Sequence, residues 1–361
     1  MKNRRYLTIL AALLCITSMT AQSYQFIKAD DPNFSYVGRI SFADPQAPTF
    51  TYPGVQIHTV FDGTSARMVT KLNSGYFMVE LDNQEPYKIH SSEEDSVVVI
   101  AEGLKDREHR LTLTNINEGM FLRPVFYGLM LDKGKGLVRR PELPQRKIEF
   151  IGNSITCGYG IEGDGTEKKF LYETENQYYT YAALTARELQ AQCLVVARSG
   201  IGIYRNCNGR RRGDAKNMQA LYPYTLFGTE GELWDFKRYT PDLVCVNLGT
   251  NDTTLPGYEV TLLTSAYKRF LKTLRQKYPK ATIVLLTGPI VKRKRLTDIR
   301  QAQQEAIRDA KARGDHKIYT FEFTPDDGSL GYGTHRHPSL ERNKVMAEEL
   351  TAYLRKLMNW N

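Results

Sequence analysis

No stretch of this 361-residue chain is long and apolar enough to cross a bilayer. The apolar stretch from Leu7 to Ile16 is too short, and it follows Lys2, Arg4 and Arg5. That pattern reads as a secretory leader over residues 1–21, cleaved after Ala21, and predicts an exported protein, periplasmic or extracellular. Leu14 precedes Cys15 where a lipidation signal has a small residue, which argues against a lipid anchor. Cysteine is scarce, with four residues beyond the leader: Cys157, Cys193, Cys207 and Cys245. Their spacing fits no zinc site. Cys193 and Cys245 fall in apolar strands as buried thiols, while a Cys157–Cys207 bridge stays open.

Other absences narrow the function. Gly152, Gly158 and Gly160 match neither the dinucleotide fingerprint nor a phosphate loop. His335 and His337 have no companion carboxylate or cysteine at metal-ligand spacing, so no metal and no cofactor is expected. Two basic runs, 210–212 and 292–295, come with no nucleic-acid motif and read as solvated loop charge. The net charge of +9 drops to about +6 without residues 1–21. There is no internal repeat and no low-complexity segment. Aromatic residues at 11% and charged residues at 25% describe a folded protein, and the length suggests two domains.

From about 30 to 140 the chain holds short strand-like runs, such as 35–40, 76–81, 97–100 and 111–114, with little helical periodicity. Asp62-Gly63 is a turn signal among them. A β-sandwich follows. The Gly-, Pro- and Arg-rich segment 135–145 is the boundary, and residues 146–361 form the second domain. There, strands at 148–151, 194–198, 243–248, 282–287 and 317–321 alternate with helices. Leu263, Tyr267, Phe270, Leu271, Leu274 and Tyr278 mark one helical face, and Met346, Leu350, Leu354 and Leu357 another. Thr174 with Gln177 reads as a capping box and Ser339 as an N-cap. Five strands alternating with helices predict a doubly wound parallel sheet in a three-layer α/β/α fold.

Three fragments then stand at strand ends on one edge of that sheet, where open α/β folds place their chemistry. The first strand stops at Gly152-Asn153-Ser154. Asn247 to Asp252 follows the third strand, and His337-Pro338 comes after the fifth. A serine hydroxyl needs a base to become a nucleophile, and His337 emerges at the same edge. An oxyanion needs fixed donors. Asn251 offers an amide, Gly200 in Ser199-Gly200-Ile201-Gly202 lets a backbone N–H approach closely, and Ser154 supplies its own N–H.

These residues resemble the SGNH hydrolase superfamily, whose blocks fall on Ser154, Gly200, Asn251 and His337. The form Gly152-Asn153-Ser154-Ile155-Thr156-Cys157-Gly158-Tyr159-Gly160 is similar to carbohydrate esterase family 2. So are Pro53-Gly54, Phe61-x-Gly63-Thr64-Ser65 and Ala101-Glu102-Gly103-Leu104 upstream. The resemblance implies an N-terminal jelly-roll sandwich followed by a flavodoxin-like hydrolase domain. It further implies an esterase that removes O-acetyl groups from plant polysaccharides such as xylan or glucomannan. Ser154 and His337 would be catalytic, with Ser154, Gly200 and Asn251 as the oxyanion hole and an acetylated poly- or oligosaccharide as partner.

Two departures stand out. Asn153 occupies the usual aspartate position before the serine. No acid lies two or three residues before His337, where His335 and Thr334 stand, which implies a Ser–His dyad with a backbone carbonyl holding the imidazole. Asp326 and Asp327 are the distant carboxylates that could substitute. The same chemistry on a lipid, thioester or peptidoglycan acetyl group is the alternative, as is a carbohydrate-binding protein without activity. The tyrosines at 159, 172, 204, 222 and 224, read as polar loop residues, favour sugar over lipid.

Overall fold

The computed structural model describes residues 23–167, 169–228 and 231–360. The proposed leader lies outside them. Ten strands come first: β1 (Tyr24–Lys28), β2 (Ser35–Val37), β3 (Gln56–Gly63), β4 (Ala66–Thr70), β5 (Gly75–Leu81), β6 (Tyr87–Ser91), β7 (Val97–Ala101), β8 (Arg107–Asn115), β9 (Phe126–Asp132) and β10 (Leu137–Arg139). They form two antiparallel sheets, β1-β9-β4-β7 and β10-β3-β8-β5-β6, with β2 beside β3. Alternation drives the arrangement: in β4, Ala66, Met68 and Thr70 are buried while Arg67 and Val69 are more exposed. Inward side chains of both sheets, including Phe61, Met68, Phe77, Leu113 and Leu129, share one core. The sandwich starts at β1, ahead of the 30–140 span read from sequence, because Tyr24–Lys28 pairs along β9.

Asp62-Gly63 does not close a hairpin, since β3 and β4 belong to different sheets. It is a corner between them, held by Asp132, whose Oδ2 accepts from Thr64 N–H (2.6 Å) and Ser65 N–H (3.2 Å).

The remaining elements alternate: β11 (Arg146–Gly152), α1 (Ser154–Cys157), α2 (Tyr181–Glu188), β12 (Ala191–Ala197), α3 (Met218–Leu221), β13 (Leu243–Asn247), α4 (Val260–Lys277), β14 (Thr282–Thr287), α5 (Arg293–Ala312), β15 (Ile318–Glu322) and α6 (Leu340–Met358). The five strands form a parallel sheet ordered β12-β11-β13-β14-β15. This is the flavodoxin-like order. Helices α4 and α5 pack on one face through residues such as Leu263, Phe270 and Ile299. Helices α2 and α6 cover the other through Ala182, Met346 and Leu350. Covering both faces is what lets the strand centres be largely apolar on both sides. Ser339 caps α6, accepting from Arg342 N–H at 3.1 Å. The capping box at Thr174 is absent: Thr180 caps α2, and its Oγ1 accepts from Ala183 N–H.

A buried acid stands among these strands. Glu149 in β11 is fully buried between Ile148 and Phe150, which face one core, and Ile151, which faces the other. Arg39, reaching over from the loop after β2, pairs with its Oε1 at 3.1 Å, and the Tyr222 hydroxyl donates to Oε2 at 2.9 Å. The guanidinium lies 4.5 Å from the Tyr222 ring centre and 5.4 Å from that of Trp234. Burial pushes the Glu149 carboxyl above its ordinary range, while Arg39 and Tyr222 pull it back. Val37 and Tyr52 from the sandwich segment join the α/β core beside this pair.

Removing one partner of a buried ion pair strands the other charge, at about 3–5 kcal/mol. Arg39→Met should therefore lower the urea midpoint strongly, and Arg39→Met combined with Glu149→Met should be more stable than Arg39→Met alone. A double variant as unstable as the single would show that lost packing, not the stranded carboxylate, is responsible.

Candidate active site

β11 ends at Gly152, where a Cβ would collide with the Thr156 Oγ1 of the following turn. Glycine thus lets the chain fold sharply into α1, with Ser154 as its first residue. Asn153 caps that turn through Oδ1, which accepts from Ile155 N–H at 3.0 Å, so the amide serves the structural task of the missing aspartate. The Ser154 hydroxyl lies 2.8 Å from His337 Nε2.

The orientation of His337 is set by its own loop. His337 Nδ1 is 3.0 Å from the carbonyl oxygen of Thr334, three residues earlier. That carbonyl fixes the tautomer: Nδ1–H donates to it, and Nε2 is left to accept from Ser154. Reaching it takes a tight turn with His335 (φ 52°) and Arg336 (φ 61°) both left-handed, a conformation unfavourable for side-chain-bearing residues. Backbone hydrogen bonds hold the turn: Thr334 N–H to Gly160 carbonyl, and Gly333 N–H to His337 carbonyl, each 2.9 Å. The Tyr159 ring covers the imidazole with centroids 4.5 Å apart, and its hydroxyl is 2.9 Å from His335 Nδ1. Burial lowers the His337 pKa to about 4, and His335 adds to that, against the Thr334 carbonyl. Both ring nitrogens of His337 are thereby engaged, and His335 is an exposed neighbour.

Gly200 follows β12 with φ +77°, so a left-handed backbone, more than lack of space, calls for glycine there. Asn251 is buried after β13, and one N–H of its amide donates to the Ile201 carbonyl at 2.8 Å. The second N–H of that amide remains for a ligand. Its neighbour Asp252, given no role of its own from sequence, ties the two loops together. Its carboxylate accepts from the N–H groups of Ile203 (3.1 Å), Tyr204 (2.8 Å), Arg205 (3.0 Å) and Gly249 (3.1 Å). An acid directly after the Asn251 block was the available signal. Arg295, assigned above to a solvated loop, sits in α5 and donates to the Thr250 carbonyl at 3.0 Å.

Other expectations need correction. Tyr204 and Tyr222 are core residues, not pocket loops. Cys157 and Cys207 are both free. Asp326 accepts from Gly328 N–H and Asp327 from Ser329, local turn bonds that leave neither on His337. Among the described residues, the one cluster with metal-ligand chemistry is Glu118, Cys157 and Glu175, which no sequence spacing had revealed.

Comparison with known proteins agrees with this architecture. Residues 36–141 match the family model for the carbohydrate esterase 2 N-terminal region, and residues 150–343 match the GDSL-like lipase/acylhydrolase family. An acetylxylan esterase / glucomannan deacetylase of Cellvibrio japonicus is 32% identical over 348 residues, covering 95% of this chain and 94% of that protein. The chain belongs to carbohydrate esterase family 2. It is a carboxylic ester hydrolase by that membership. The cellulase/esterase CelE of Acetivibrio thermocellus is 36% identical over 94% of this chain, which spans only 41% of that protein. A family two carbohydrate esterase from Clostridium thermocellum, solved in complex with cellohexaose, superposes with a TM-score of 0.84 at 35% identity, covering 91% of this chain and all of that one.

For this family 2 esterase, two outcomes follow from the His337 geometry. Asp326→Asn and Asp327→Asn should each change turnover by less than about tenfold, against about 10⁴ for losing the aspartate of a full triad. A far larger loss in a folded variant would reveal a carboxylate acting on His337 from a distance. His337 must also be neutral to accept a proton, and its folded pKa of about 4 lies below the ordinary 6.5. The acid limb of kcat/KM should accordingly fall near 4. Stability contributed by the neutral imidazole is complete above 6.5 and fades as pH drops toward 4. A limb at 6.5 or higher would mean that something stabilises the imidazolium.

Proposed function

We propose that the protein is an exported serine esterase that removes O-acetyl groups from plant polysaccharides, xylan or glucomannan, through a Ser154–His337 dyad. The observation that carries the reading is the chain of two hydrogen bonds, Ser154 Oγ to His337 Nε2 at 2.8 Å and His337 Nδ1 to the Thr334 carbonyl at 3.0 Å. His337 takes the serine proton as Oγ attacks the acetyl carbonyl carbon. Charge on the carbonyl oxygen is received by the N–H groups of Ser154 and Gly200 and by the Asn251 amide. The tetrahedral adduct collapses, His337 protonates the departing sugar oxygen, and acetyl-Ser154 remains. Water, deprotonated by His337, then releases acetate and restores the hydroxyl.

The substrate class draws on two supports. Relatives matching 95% and 86% of the chain carry the name acetylxylan esterase / glucomannan deacetylase. Beside His337, a run of half-buried aromatic rings begins at Tyr159: it stacks on Phe170 at 4.6 Å, and Phe170 meets Tyr172 edge-on at 4.9 Å. Flat apolar rings with polar margins suit a sugar ring, whose own faces are apolar and whose rim is hydroxyl. Export rests on residues 1–21 as read from sequence.

Acetate release from acetylated xylan and acetylated glucomannan, compared with hydrolysis of long-chain aryl esters, tests the substrate class. Acetylated polymers should be preferred, and a preference for long chains would reject it. Ser154→Ala should abolish release while thermal unfolding is unchanged. Asn251→Ala should lower kcat about 10²–10³-fold, the usual cost of one oxyanion donor. An effect confined to KM would make Asn251 a ground-state binding residue instead.

A further inference from the structure

The reaction as written uses no side chain of the sandwich, yet one reaches the wall of the site. The loop after β8 carries Glu118, fully buried against α1 and the turn after β12. Its Oε2 accepts from Ser199 N–H at 2.7 Å and from the Cys157 thiol at 3.8 Å. Ser199 directly precedes Gly200. A second buried acid, Glu175, lies alongside: its Oε2 accepts from Glu118 N–H at 3.0 Å and from Asn117 Nδ2 at 3.4 Å. Ligand atoms of Glu118, Cys157 and Glu175 fall within 4.8 Å of one another. One oxygen of each acid, Oε1, is buried without a hydrogen-bond partner.

We propose that Glu118 and Glu175 are a positioning pair that holds one proton between the two carboxyls, through which the sandwich fixes the Ser199–Gly200 backbone opposite Ser154. The proposal rests on Gly200 N–H being an oxyanion donor, as read above. Two buried carboxylates side by side cannot both ionise at acceptable cost. The cation facing them is Arg198, whose guanidinium stacks on Phe227 at 4.1 Å, and it offsets one negative charge. The other titratable neighbours are Cys157, Tyr159 and Tyr172. Burial and the adjacent carboxylates keep the Cys157 thiol protonated, so it acts as a donor. A proton on the pair supplies a donor where two ionised acids, acceptors only, leave both Oε1 atoms without one.

The charge belongs on Glu118. Its carboxylate has the Ser199 N–H, the thiol and Arg198 as partners, which oppose the upward push of burial. Glu175 is pushed well above the ordinary carboxylate range by burial and then by Glu118, and keeps the proton. An ionised acceptor makes the stronger bond to a backbone N–H, and that N–H belongs to the peptide adjoining the oxyanion glycine. If Glu175 loses its proton at high pH, the two charges repel and Ser199 is released.

The test is the pH dependence of kcat and KM on an aryl acetate for wild type, Glu118→Gln, Glu175→Gln and Ser154→Ala, each checked by thermal unfolding. Glu118→Gln loses the charged acceptor and should lower kcat by about ten- to a hundredfold at near-constant KM, the range of an ångström-scale misplacement. Glu175→Gln copies the protonated acid permanently. It should lower kcat less than Glu118→Gln and abolish an alkaline fall in kcat present in wild type. Unchanged kcat in folded Glu118→Gln, or identical alkaline limbs in wild type and Glu175→Gln, overturns the pair. If Glu118→Gln does not fold, the alkaline limb of Glu175→Gln decides. Ser154→Ala separates the two readings: an inactive Ser154→Ala beside an unaffected Glu118→Gln rejects the pair alone, whereas an active one rejects the serine mechanism. Wild-type activity lost in EDTA and restored by zinc, with neither effect in Glu175→Gln, would place a cation between the acids and overturn the shared proton.

Discussion

The buried Arg39–Glu149 pair is the constraint on which the rest of the structure depends. A carboxylate in the middle of a parallel strand, closed on both faces, has no route to water and must find a cation inside the protein. That cation comes from the sandwich, and it arrives through a cage of Tyr222, Trp234 and Phe236 rings. The strand holding Glu149 ends three residues later at Gly152, and Ser154 opens α1 just after it. Hydrogen bonds such as Gln177 N–H to the Ile116 carbonyl and Phe227 N–H to Thr51 Oγ1 extend the same seam. The two regions are thereby one folded object, although each has its own core.

Much of this was legible from residue patterns. Apolar runs near 148, 194, 243, 282 and 317 became the five parallel strands, because strands buried on both faces need no alternation and stand out as continuous runs. The helical faces around Leu263 and Met346 pack as their spacing required. Ser154 and His337, 183 positions apart, do meet at one edge, since every strand of a parallel sheet delivers its following loop to the same side.

What stayed hidden involved groups without a sequence signature. The Thr334 carbonyl is a backbone atom, and only the left-handed pair His335–Arg336 turns it toward the imidazole. Thr180 rather than Thr174 caps α2 because the intervening residues form two short 3-10 turns, which local spacing does not reveal. Arg295 and Tyr222 carry ordinary surface chemistry in sequence, and tertiary contacts recruit them. Glu118 and Glu175 are 57 residues apart in different regions, so no motif joins them.

In the proposed dyad, the carbonyl that takes the place of an acid beside His337 has a consequence for expulsion of the leaving group. A carboxylate would make the imidazole a stronger base and the imidazolium a reluctant proton donor. A neutral carbonyl does so far less, and burial holds the pKa down to about 4, leaving a conjugate acid that readily surrenders its proton. Sugar alkoxides are poor leaving groups, and their expulsion depends on timely protonation. An esterase built this way shifts effort from starting the attack to finishing the cleavage, a balance fitted to unactivated alcohols more than to the activated phenols of laboratory substrates.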